Sequence, residues 1–231
     1  CLSGQAPRTF GLPCVGMALM QRIVIPLHAD LFISANVKDK SMINETRALF
    51  QSTCDMAGVK PRMLHVYRYN DKHTATGKCA DVQRQELGRP QAEGFMNCYR
   101  QMEPFNYEWI IRQRTDVYIP FTINHLPPAF SASTYRKVFV GFVSKMAWVD
   151  DQFAILPGQL SQRAYLSSYA SEFCNQPKCK GELCRAPEAK LFWTLDSENL
   201  TLVDIRYLCP HSIRTVDLQI IRGSCSETKK R

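Results

Sequence analysis

The sequence predicts an α/β fold, a single domain with a mostly parallel central sheet and helices on both faces. Three observations lead there. Short apolar runs that suit buried strands alternate with longer segments of helical period, in the order β-α-β-α-β-α-β over the first half. The chain has 231 residues, a length that one α/β domain commonly fills. Hydrophobic residues are 45% of the total and charged residues 22%, ordinary values for a globular protein, and no apolar run reaches the length of a bilayer span.

Residues 1–5 read as a first strand running into a Gly turn, with a helix near 15–22 after it. A second strand is expected at 29–34. The next helix is expected at 44–57, with an Asn start and Gly58 as its stop. A third strand covers 63–67. Residues 70–89 are polar and aperiodic, and read as a long loop, either a lid or a surface insertion. Residues 91–102 form a helix turning Phe95, Met96 and Tyr99 inward. Further strands are expected at 137–143, near the sheet centre, and at 153–155. A helix over 160–173, a cysteine-rich loop, a helix over 186–195 and a last strand over 200–208 complete the body, with the tail docked on it. No repeat or low-complexity linker divides the chain.

The stretch 107–121 stands apart. Trp109-Ile110-Ile111 suits a buried strand, and then Arg112, Arg114 and Asp116 come at alternate positions, sharing one face if the strand continues. A strand that ends in two guanidiniums and a carboxylate delivers charge to a sheet edge, where open α/β folds place ligands. Ser3-Gly4-Gln5, with Arg8 close behind, is a small-residue turn of the kind that meets phosphates after a first strand. Asp150 and Asp151 precede the strand at Phe153. Asp30 and Asp39 flank the second strand, where a ribose or base is often held; solvated loop carboxylates explain them too.

The net charge of +8 comes from scattered Lys and Arg, with no basic helical stripe. A basic cleft for a phosphorylated small molecule explains it better than nucleic-acid binding, for which no interleaved basic and aromatic face is present. Ten cysteines without CxxC pairs favour disulfides over a zinc site. The sequons Asn44-Glu45-Thr46 and Asn199-Leu200-Thr201 point the same way, to the secretory lumen (Golgi or endoplasmic reticulum) or the cell exterior. Because the chain starts at Cys1 and not Met, a targeting segment or membrane anchor is expected upstream. The five histidines lack metal-ligand spacing. With no G-x-S-x-G, P-loop or G-x-G-x-x-G, a hydrolase elbow, a P-loop NTPase and a dinucleotide oxidoreductase are disfavoured.

Taken together, Ser3-Gly4-Gln5 with Arg8, Arg112-Gln113-Arg114-Thr115-Asp116 and Asp150-Asp151-Gln152-Phe153 resemble the ordered motifs of GT-A-type nucleotide-sugar glycosyltransferases. The middle motif is similar to the R-x-R-x-D pattern that replaces DxD in some of them. The resemblance implies one GT-A-like, Rossmann-like domain over 1–231, with a nucleotide-binding half at 1–106 and a metal and acceptor half at 107–231. It implies transfer of a hexose or pentose from a UDP- or GDP-sugar to a hydroxyl of a glycan or glycoprotein. Ser3, Gly4, Gln5, Arg8, Arg112 and Arg114 would hold the donor. Asp116 would bind a divalent metal, Mn²⁺ or Mg²⁺. Asp151, or Asp150, would act as general base or hold the acceptor. Positions 114 to 116 read Arg-Thr-Asp, one carboxylate where DxD has two, so the arginines can carry part of the phosphate charge and Asp116 can equally form a salt bridge with them. A reading from another class is a secreted, disulfide-rich carbohydrate-binding or inactive transferase-like module.

Overall fold

The first strand, β1 (Leu2–Gln5), is short: Leu2 faces one side, Ser3 the other, and Gly4 keeps the backbone bare. It lies inside a sheet in a computed structural model that describes residues 1–6, 13–68, 88–126, 136–141, 143–144, 148–149, 152–166, 187–205 and 211–212. Helix α1 (Pro13–Leu19) continues into a π-helical turn, Met20–Val24, which turns Met20, Ile23 and Val24 inward. Strand β2 (Phe32–Val37) is buried throughout. Helix α2 (Met42–Met56) buries Thr46, Phe50, Thr53 and Cys54, the spacing of one helical face. It ends where Gly58 takes φ +66°, with Gly58 N–H donating to Asp55 O and Val59 N–H to Cys54 O, a Schellman cap.

After β3 (Met63–Arg68) come α3 (Gly88–Met102), a 3₁₀ turn at Glu103–Phe105, β4 (Trp109–Arg114) and β5 (Val117–Tyr118). Next are β6 (Lys137–Val140), a small ribbon of β7 (Val143–Ser144) and β8 (Trp148–Val149), and β9 (Phe153–Pro157). Helices α4 (Gly158–Leu166) and α5 (Pro187–Ser197), strand β10 (Thr201–Asp204) and the two-residue β11 (His211–Ser212) end the described chain. No described helix is long and apolar enough to cross a membrane.

Among the described residues the main sheet runs β3-β2-β1-β4-β9-β6-β10. All neighbours are parallel except β9, which is antiparallel to both β4 and β6. Alternation along the strands sends side chains to two cores. Leu2, Ile33, Ala35, Val37, Phe153 and Ile155 pack with Leu19, Met20, Ile23, Phe50 and Cys54 on one face. Phe32, Ile110, Val138, Val140, Ala154 and Leu156 pack with Phe95, Cys98, Met102, Tyr165 and Leu191 on the other. The fold is therefore mixed α/β, with a mostly parallel sheet between helices.

Helix α3 closes on the sheet through a residue without a side chain. A Cβ on Gly94 would stand 3.1 Å from Ser3 Cβ and 3.6 Å from Ser34 O. The same helix is fastened to the start of β1 by the Cys1–Cys98 disulfide, whose Cα atoms are 5.9 Å apart. Cys14 is disulfide-bonded as well. Cys54 keeps a free, buried thiol; its pKa is pushed up to about 11 by burial and then by the Asp55 charge, so it is a poor nucleophile. The remaining six cysteines lie outside the described residues.

Several elements differ from the sequence expectation. The second strand lies three residues later than the 29–34 span, because Ser34 and Asn36 are not surface residues; at 0% and 1% exposure they face α3. The expected strand 137–143 breaks after Val140, and β6 lies one strand from the edge, outflanked by β10. Helix α3 begins at Gly88, inside the span expected to be a loop, whose residues 70–87 lie outside the described residues, as do 167–186 and 206–210.

Two substitutions test this framework. Serine at both Cys1 and Cys98 should lower the unfolding free energy by about 2–5 kcal/mol, since the bond closes a loop of nearly the first half of the chain. Urea denaturation measures this, and an unchanged midpoint would show that packing alone holds α3. Gly4→Ala should cost about 1–3 kcal/mol, because φ is +146° there and the new Cβ would lie 2.8 Å from Thr115 Oγ1. The same titration reads it.

Candidate functional site

In open α/β sheets, ligands sit beyond the carboxyl ends of the strands at the point where strand order reverses. Here the chain builds outward from β1 through β2 to β3, then returns past β1 to lay down β4 on its other side. The switch point is the β1–β4 seam. Leu2 pairs with Gln113 and Ser3 with Arg114, so β4 ends opposite Ser3 and β1 runs two residues further. Gly4 and Gln5 are not the turn that the sequence suggests: they are still strand, paired with Ala35 and Asn36 of β2, and they run on past the end of β4 to lie beside its outgoing Thr115-Asp116 turn.

The seam is tied by Thr115. Its N–H donates to Ser3 O at 3.2 Å, and its hydroxyl donates to Gln5 O at 2.9 Å. Gly4 gives Thr115 Oγ1 its room. Beside it, Arg114 grips Asp116 in a fork: Nε donates to Oδ1 at 2.8 Å and Nη2 to Oδ2 at 2.5 Å. Arg114 and Asp116 side chains are 25% and 15% exposed, so the pair stands at the surface of the seam without leaving it. The turn is braced from below, where Gln113 Nε2 donates to Val117 O at 2.9 Å. It is braced from the side by Arg22, which donates to Tyr118 OH and Ile119 O and lies over the Tyr118 ring.

Arg112 is elsewhere. It stands two positions before Arg114 on β4, where helix α3 covers the sheet. Its side chain is 0% exposed, with the guanidinium 4.2 Å from the centroid of the Phe95 ring. The expectation that all three charges reach the edge needs correcting: helix packing keeps Arg112 inside the fold, and only Arg114 and Asp116 arrive at the edge.

The reversed strand β9 brings a further segment to the same edge. Because β9 runs antiparallel to β4, its beginning lies beside the end of β4, and Arg114 N–H donates to Gln152 O at 2.8 Å. Asp150 and Asp151, which precede Gln152 in the chain, lie outside the described residues, and so does Arg8. The structure thus brings Gly4, Gln5, Arg114 and Asp116 together, while the Ser3 side chain, like that of Arg112, is buried beneath α3.

A polar layer under α3 is absent from the sequence expectation. Ser3, Ser34 and Asn36 are buried on the α3 face of β1 and β2, and Asn97 Nδ2 donates to Ser34 Oγ at 3.4 Å. The Tyr67 hydroxyl, its pKa raised chiefly by burial and then by the Glu93 charge, hydrogen-bonds to Ser34 and Asn36. Ser3 Oγ has no hydrogen-bond partner among the described residues. The usable signal is Ser-x-Asn within an apolar run, polar groups at period two in a strand otherwise buried.

Asp30 belongs to the opposite end. It sits at the amino end of β2, where Arg62 Nε binds it at 2.8 Å and Tyr107 OH donates to it at 2.5 Å. Those two bonds hold its carboxyl below the usual range. The Tyr107 pKa is pushed up to about 12 by burial and by the Asp30 carboxylate. The trio stands at a cavity of about 760 Å³ lined by Leu31, Phe32, Trp109 and Ile111 among others. That cavity is large, but it lies at the amino edge and away from the seam; a ribose held by Asp30 at a carboxyl edge is excluded. Asp39 is at the correct edge, but its carboxylate accepts from Ser41 N–H and opens α2.

The donors at the seam decide whether it suits a metal. Both Asp116 oxygens are bound by Arg114, and among the described residues no cluster of three His, Cys, Asp or Glu side chains could hold an ion. To take an ion Asp116 would have to give up this fork, and Asp150 and Asp151, the other carboxylates expected here, lie outside the described residues.

Double-mutant cycles on Arg114→Met and Asp116→Asn should give a coupling of roughly 0.5–2 kcal/mol in urea unfolding, as expected for a forked, partly buried pair. Additive effects would mean that the fork is not maintained in solution. In comparisons with known proteins, the chain matches no protein-family model and no curated protein.

Proposed function

We propose that this chain is a glycosyltransferase that moves a sugar from a nucleoside-diphosphate sugar to a hydroxyl of a glycan or glycoprotein, in the GT-A manner. The observation that carries the reading is the β1–β4 seam: a bare Gly4 near the end of β1, the Thr115 lock and the Arg114–Asp116 fork meeting at the switch point of a mostly parallel sheet. A diphosphate needs positive charge and close backbone approach, and Arg114 beside Gly4-Gln5 offers both.

In this reading the acceptor hydroxyl gives its proton to Asp151 or Asp150 as its oxygen attacks the anomeric carbon. The bond from that carbon to the donor's phosphate oxygen breaks, and the electron pair leaves on the diphosphate, which Arg114 helps to neutralise. Asp116 holds Arg114 in position. The reading includes no metal step. The oxidised Cys1–Cys98 and Cys14 fit a chain that works in the secretory lumen or outside the cell. The closed Arg114–Asp116 pair favours a second reading, a carbohydrate-binding module that keeps the fold without transfer.

A thermal-shift screen with UDP, GDP and other nucleoside diphosphates separates the two. Ligand at a hundredfold excess over Kd should stabilise the fold by about 2.7 kcal/mol, with the shift unchanged by EDTA and lost in Arg114→Met. Asp116→Asn should lower transfer while the fold survives. No shift with any nucleoside diphosphate, alone or with Mn²⁺, would remove the transferase reading.

A further inference from the structure

We propose that Asn199 carries an N-linked glycan and that this glycan covers the edge of the sheet at β10. The inference rests on the lumenal part of the proposed function and not on the transfer reaction. Asn199 stands in the turn between α5 and β10 with φ +54°, as the left-handed residue of a Schellman cap: its N–H donates to Asp196 O at 3.0 Å and Leu200 N–H to Leu195 O at 3.0 Å. The sequon is Asn199-Leu200-Thr201, and its three residues are sorted by burial. Asn199 and Thr201 are exposed, while Leu200 between them is anchored at 6% exposure in the core. The two residues whose amide and hydroxyl glycosylation needs are both open to solvent on a fixed turn.

The other sequon is arranged differently. Asn44 is exposed, but it lies in the first turn of α2, and its partner Thr46 is only 2% exposed. Once α2 has formed, that hydroxyl is out of reach, so Asn199 is the site open in the folded chain as well as in the nascent one.

The reaction is group transfer by the host cell's machinery. Asn199 Nδ2 forms the bond to the anomeric carbon of an oligosaccharide, the bond from that carbon to a lipid-linked diphosphate breaks, the diphosphate leaves with the electron pair, and the amide gives up a proton. The glycan then sits just before β10. Among the described residues β10 stands last in the sheet, with β6 as its one strand neighbour. An edge strand is a template for pairing with another chain, and a hydrated glycan beside it blocks that approach.

The test expresses the chain behind a secretory leader in N-glycosylating cells, comparing the wild type with Thr201→Ala, Thr201→Ser and Thr46→Ala. Thr201 is changed and not Asn199, because the cap needs the left-handed Asn. Endoglycosidase should shift the wild type, Thr201→Ser and Thr46→Ala, and the Asn199 glycan should be missing only from Thr201→Ala by peptide mass mapping. A secreted, disulfide-bonded wild type without a glycan at Asn199 overturns the site. Sedimentation should then find more self-association in Thr201→Ala and in enzymatically deglycosylated wild type than in the glycosylated protein. Equal association in all three overturns the shielding role. Reduced Cys1 and Cys98 in the secreted product would count against the lumenal reading instead, so the two failures are distinguishable.

Discussion

The contact between Gly4 and the Thr115 hydroxyl is the constraint on which the site depends. It lets the turn that leaves β4 stay within hydrogen-bonding distance of the last residues of β1, and any side chain at position 4 would part them. With the seam closed, Arg114 and Asp116 have one place to stand, each held by the other. Gln113 and Arg22 stiffen the same turn from below and beside it. Position is thus set by backbone geometry before charge plays any part.

The two edges of the sheet do different work. At the carboxyl edge, polar groups are brought together on turns. At the amino edge, Asp30, Arg62 and Tyr107 satisfy one another, and Arg62 also lies over the Phe105 ring. The second cluster is structural: it joins the segments that enter β2, β3 and β4, and so aligns three strands at their origins.

Much of the fold is legible in the sequence because strands and helices differ in period, and the Gly58 and Trp109–Ile111 signals are local. The span of β2 is harder to read because Ser34 and Asn36 look like surface residues until α3 is laid over them. Arg112 is misplaced for a related reason. Alternation says which residues share a face and not which helix covers it, and Phe95 lies on a separate element that no local pattern links to β4. Asp30 falls at the wrong end because a strand's direction in a sheet is a tertiary fact. Ser3-Gly4-Gln5 and Arg114-Thr115-Asp116 are distant in the chain. Only the motif resemblance suggests that they meet, and the register of β1 on β4 is what turns the suggestion into geometry.

The reversed strand β9 has a consequence for how such a protein can change. The chain leaves β6 and enters β9 at the same edge, where Gly141 N–H donates to Phe153 O, so everything between begins and ends beside the seam. Lengthening that excursion costs little, about 0.6 kcal/mol for each doubling of a flexible loop, and shifts no strand register. One antiparallel strand therefore lets the connection between β6 and β9 change in length while the strands beneath it keep their register.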